Sequence, residues 1–76
     1  MKNYVYKVLS EDLTQLGAMW AQPGFNWEKL ARDLASAKKL AEDDYLNKIK
    51  WSKENDHYSS GDLRHVMYTI TKVKVY

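Results

Sequence analysis

Residues 2–9 alternate with a period of two. Tyr4, Tyr6 and Val8 share one side, while Val5, Lys7 and Leu9 share the other, which predicts a strand. The period then changes. Ser10 is a helix-cap residue type, Glu11 and Asp12 suit a first helical turn, and Leu13, Leu16, Met19 and Trp20 recur at helical spacing. The spacing predicts a short helix over 11–21, ended by Gln22-Pro23-Gly24. A second stripe of Trp27, Leu30, Ala31, Leu34, Ala37 and Ala41, with Asn26 as its cap, predicts a longer helix over 27–44. Its alanines suit close packing.

Period two returns over 46–53, where Ile49 and Trp51 oppose Lys48 and Lys50. The run from Glu54 to Gly61 is rich in Asn, Asp, Ser and Gly and reads as a loop. Residues 63–75 form the longest β-type run. Its facing is open: Met67, Thr69, Thr71, Val73 and Val75 alternate with Val66, Tyr68, Ile70, Lys72 and Lys74, and a bulge would reconcile the two sides. The resulting order is β-α-α-β-β. It predicts an α+β fold: a three-stranded, mainly antiparallel sheet with two helices packed on one face and the last strand central.

Seventy-six residues leave room for a single domain, 1–76, with a small core. Apolar residues at 45% argue against wholesale disorder. Aromatics at 13% strengthen a small core, and self-association into a homo-oligomer is a second route to stability. The absence of cysteine excludes disulfides and Cys-based metal sites. No apolar run approaches the roughly 18–20 residues of a membrane span. The opening Met1-Lys2-Asn3-Tyr4-Val5-Tyr6-Lys7 carries no signal-peptide core, so a cytoplasmic protein is expected.

No catalytic constellation assembles, and no cofactor or metal is expected. Ser59 and Ser60 lie near His57, but Ser-Ser-Gly-Asp is loop vocabulary. Asp43-Asp44 suits a solvated helix end, because adjacent acids on a helix do not face each other. His57 and His65 lack metal-ligand spacing. The chain is therefore expected not to be an enzyme.

Charge is uneven. The formal net charge is +2, and residues 63–76 carry Arg64, Lys72 and Lys74 with no acid. Two helices would cover one sheet face and leave the other open. If Lys48, Lys50, Lys72 and Lys74 point outward, they share that face with Tyr68 and with Tyr4 or Tyr6. Such a face can dock a protein or stack bases and neutralise phosphates; alternatively, its lysines only keep the sheet soluble. Trp20 and Phe25 flank the turn before Trp27, either as a staple for the second helix or as an exposed anchor for a partner. Tyr58, Arg64 and His65, beside His57, sit at the mouth of the expected hairpin, where they could hold a phosphate or a carboxylate.

Ile49-Lys50-Trp51, Ser60-Gly61-Asp62-Leu63 and Met67-Tyr68-Thr69-Ile70 resemble stretches of small uncharacterised proteins encoded by bacteriophages. The resemblance covers the C-terminal third. It implies a stoichiometric binder in the host bacterium, either an inhibitor of a host or antiviral-defence protein or a sponge for a signalling nucleotide. The leading expectation is a non-enzymatic binding module that occupies a partner protein through Trp20, Phe25, Tyr68, Lys72 and Lys74. The alternative is a nucleotide or nucleic-acid binder that uses Lys48, Lys50, Tyr58, Arg64 and His65.

Overall fold

The computed structural model describes residues 3–13, 24–61, 63 and 65–75. These build strands β1 (Tyr4–Asp12) and β2 (Gly24–Ala31), helix α1 (Leu34–Tyr45), then strands β3 (Ser52–Glu54), β4 (His57–Ser59) and β5 (Val66–Lys74). The strands form one five-stranded sheet in the order β2-β1-β5-β4-β3. Every pairing in it is antiparallel. The described fold is thus mostly β, with one helix. It replaces the expected three-stranded sheet under two helices.

The difference begins at Ser10. Its side chain is fully buried and its hydroxyl accepts a hydrogen bond from the Asn26 amide at 3.3 Å, so it caps no helix. Glu11 and Asp12 pair on both sides, with Phe25 and Gly24 of β2 and with Met67 and Val66 of β5. A two-sided ladder outweighs the weak helix preference of three polar residues. The rest of the expected first helix, from residue 14 on, lies outside the described residues.

The expected long helix is divided. Its first turns, Trp27 to Ala31, are the second half of β2. The register slips beside Ser10 and Glu11, which leaves Asn26 as a bulge opposite them. The bulge sought in the last strand is therefore in β2, and β5 pairs with β1 without interruption from Tyr4–Lys74 to Asp12–Val66. Asp33, not Asn26, caps α1: its backbone is extended (φ −141°, ψ 168°) and its carboxylate accepts the Ser36 N–H at 2.7 Å. Trp27 and Ala31 satisfy both a strand and a helix pattern, because residues four apart share a side in either.

From Leu34 onward the helix forms as the stripe predicts. Ala37 and Ala41 are fully buried, and their small side chains bring α1 down onto Val8, Tyr68 and Ile70 of the sheet. Beyond the helix, the expected strand 46–53 shortens to Ser52–Glu54. Ile49 is buried, yet its N–H donates to the Glu42 carboxylate at 3.2 Å rather than to a strand. The same oxygen accepts from the Trp51 indole at 3.4 Å. The expected loop 54–61 contains β4, reached by the two-residue turn Asn55-Asp56 with Asn55 left-handed at φ 54°. The last strand is central, as its length suggests.

Candidate functional site

Alternation along β1 and β5 gives the sheet two different faces. Val8 and Ser10 of β1 and Tyr68 and Ile70 of β5 point under α1 and are buried. Their odd-numbered neighbours Val5, Lys7, Leu9, Met67, Thr69, Thr71 and Val73 point the other way and are half-buried. No described element lies across this second face. Phe25, opposite Glu11, and Leu30, opposite Lys7, extend it onto the edge strand β2. Their exposures of 69% and 65% are high for side chains of that size. Lys7 and Glu28 form an ion pair between them at 3.8 Å.

This second face is therefore mixed, with Val5, Leu9, Met67 and Val73 standing among Lys7, Glu11, Glu28, Thr69 and Thr71, and it is not the tyrosine–lysine face expected. The even positions of β5 supply Tyr68 and Ile70 to the core, and Lys72 follows them onto the helix side. Tyr68 is only 1% exposed and cannot be a contact residue. Its ring lies against Trp27 and Tyr45, and its hydroxyl donates to Asp44. Burial, then the Asp44 carboxylate, push the phenol well above its ordinary pKa.

Lys72 and Lys74 are both on the helix side, paired with Tyr6 and Tyr4 of β1, and away from Phe25. Trp20 lies outside the described residues. The expected partner-binding set is thus not brought together. The alternative set is also dispersed. Lys48 and Lys50 are exposed in the connector after α1, outside any strand. His65 is exposed before β5, Tyr58 faces the helix side of β4, and Arg64 lies outside the described residues.

On the helix side the fold instead assembles a groove that the sequence showed only in fragments. Lys72 sits with its ammonium 4.0 Å from the centre of the Tyr4 ring. Lys38 of α1 and Lys53 of β3 approach the Tyr58 ring at 5.1 and 5.9 Å. Tyr6 stands opposite Lys72 across the β1–β5 pair. Tyr4 and Tyr6 with Lys72 follow from period two and one strand pairing. Lys53 beside Tyr58 needs the β3–β4 hairpin, whose signal is the dipeptide Asn55-Asp56. Lys38 is brought in by the helix, and no local pattern marks it.

The serines near His57 have structural work. Ser60 Oγ accepts the Tyr68 N–H at 2.9 Å and donates to the Gly61 carbonyl at 2.8 Å. Ser59 Oγ accepts the Gly61 N–H at 3.0 Å, and Gly61 takes φ 72°, which favours glycine. Among the described residues, no three His, Asp or Glu side chains stand together as a metal site. Among the described residues, no helix is long and apolar enough to cross a membrane.

No protein-family model matches the chain, and neither a curated protein nor a solved structure is significantly similar to it.

Proposed function

We propose that this chain is a non-enzymatic binding module that acts by occupying a surface of a partner protein. The observation that carries the reading is the exposure of Phe25 and Leu30 on the one sheet face that no described element covers. An exposed aromatic and an exposed leucine beside a charge pair combine the apolar and polar groups found in protein contacts. Leu9, Met67 and Val73 continue the apolar surface inward on β1 and β5. The resemblance of the C-terminal third to phage accessory proteins favours a host or antiviral-defence protein as the partner, held stoichiometrically in the bacterial cytoplasm.

The test is affinity capture from lysate of a candidate host, with the partner then purified and titrated. Phe25→Asp with Leu30→Asp should weaken the purified complex by about 30-fold or more, since each side chain lost from a contact centre is worth at least ~1 kcal/mol. Leu46→Asp, at another exposed leucine beyond α1, should leave it unchanged. Equal loss in both variants, or loss in neither, would place the contact elsewhere.

A further inference from the structure

The groove on the helix side is chemically unlike the open face and needs its own account. Its inner part is a small polar cavity of about 180 Å³ lined by Tyr6, Lys53, Asn55, Asp56, Tyr58 and Lys72. It shares Tyr6 and Lys72 with a wider groove of about 600 Å³ that runs past Tyr4 to Asp33, Leu34 and Ala35 at the start of α1. We propose that this pair of cavities binds a small phosphorylated ligand, its phosphoryl group between Lys53 and Lys72 and its organic part along Tyr4, Leu34 and Ala35.

Charge, order and shape each favour such a ligand. The first is charge. Lys38, Lys53 and Lys72 gather around Tyr4 and Tyr58. Asp33 and Asp56 also line the two cavities and offset part of that charge, so the three lysines leave a small positive excess. The second is order. A free surface lysine loses much rotamer entropy when it grips an anion. These three already lie on aromatic rings, so part of that loss is met before a ligand arrives. The third is shape. A compact polar pocket beside a larger groove with tyrosine and aliphatic walls matches a ligand with one anionic end and one apolar or planar end. The positive end of the α1 dipole adds to the field there.

The site lies on the face opposite Phe25 and Leu30, so it stands or falls separately from the protein-docking surface. The test is an NMR titration of the isotope-labelled full chain with adenosine monophosphate, inorganic phosphate and a single-stranded oligonucleotide. The nucleotide should give saturable shifts at the Asp56 and Lys72 amides, and phosphate should shift the same amides with at least about tenfold weaker affinity. Lys53→Ala with Lys72→Ala should lower nucleotide affinity about tenfold or more, whereas Lys48→Ala with Lys50→Ala, which removes the same charge, should change it less than about twofold. Lys53→Ala alone, on an exposed edge strand, gives the same direction of change in a variant whose central strand is untouched.

Several outcomes would overturn the proposal. One is the absence of saturable shifts with nucleotide and phosphate into the millimolar range. A second is equal weakening by the two double variants, which means diffuse charge. Phosphate binding as tightly as the nucleotide removes the role given to the wider groove. Binding of the oligonucleotide alone, falling steeply with salt, means a polynucleotide surface instead.

Discussion

The hydroxyl of Tyr68 donates a 2.6 Å hydrogen bond to the carboxylate of Asp44, joining the central strand β5 to the C-terminal half of α1. Tyr68 is the largest fully buried side chain, and its ring meets Trp27 of β2 at 6.1 Å and Tyr45 of α1 at 6.3 Å. One side chain therefore ties together the edge strand, the central strand and the helix. Tyr68→Phe keeps the ring contacts and removes the bond. Because Asp44 is exposed, the expected loss is about 1 kcal/mol, or a fall in Tm of roughly 4–8 °C. Asp44→Ala should cost about the same, and the double variant little more than either. Fully additive losses in urea melts would show that the two groups do not act as a pair.

The same bond makes stability depend on alkaline pH. Burial first, and the Asp44 carboxylate second, hold the Tyr68 phenol above its ordinary value near 10. In the unfolded chain the phenol loses its proton near pH 10, while in the folded chain it keeps it. This contribution is therefore complete below about pH 10 and is lost above it, at about 1.4 kcal/mol per pH unit. Tyr68→Phe lacks this titration. The stability gap between the native chain and Tyr68→Phe should close by about pH 11. Urea midpoints of the two proteins at pH 8 and pH 11 check this, and a gap independent of pH would refute it.

Local pattern identified those parts of the fold that local physics decides. The alanine stripe of α1, the period of β1 and the β-rich run of β5 are each fixed within a few residues. The rest depends on partners distant in sequence. Ser10-Glu11-Asp12 reads as a helix start until β2 and β5 bond to both its edges. Trp27 and Ala31 fit a helix and a strand equally well, and pairing with Ser10 and Tyr6 decides between them. The strand expected around Ile49 fails because Glu42 takes its N–H. Facing was the costliest ambiguity. Both sides of β5 carry apolar residues, so the pattern could not say that Tyr68 belongs to the core, nor that Lys72 would meet Tyr4 beside the helix. Of the expected grouping only Lys72 beside Tyr4 and Tyr6 forms, on the helix side, while Tyr68 is buried and Lys48 and Lys50 lie outside the sheet.

The end of α1 carries a strained residue that can be relieved. Leu46 caps the helix in the left-handed region (φ 66°, ψ 29°), its N–H donating to the Glu42 carbonyl at 2.8 Å. For a side chain with a Cβ this conformation costs roughly 1–2 kcal/mol, and glycine occupies it freely. At 88% exposure the leucine returns almost nothing through packing. Leu46→Gly should therefore stabilise the chain by about 0.5–1 kcal/mol, after allowance for the greater freedom of glycine when unfolded. Denaturant unfolding measures it. A loss of stability would mean that the leucine side chain has a role in holding the cap.

Glu42 should govern the connector between α1 and β3. One of its carboxylate oxygens accepts both the Ile49 N–H at 3.2 Å and the Trp51 indole N–H at 3.4 Å. This anchors a segment that has no strand partner, and it keeps Ile49 under the helix. Glu42→Ala leaves a buried residue's N–H without its acceptor, a loss expected to cost about 1–3 kcal/mol. The effect should be local before it is global. Hydrogen exchange at the Ile49 amide should quicken far more than at the Ile70 amide of β5, whose opening follows global unfolding. Glu42→Gln keeps a carbonyl acceptor and should restore most of the protection, which separates loss of the acceptor from loss of charge. If Glu42→Ala speeds exchange equally at Ile49 and Ile70, the carboxylate contributes only to overall stability and the connector has no separate latch.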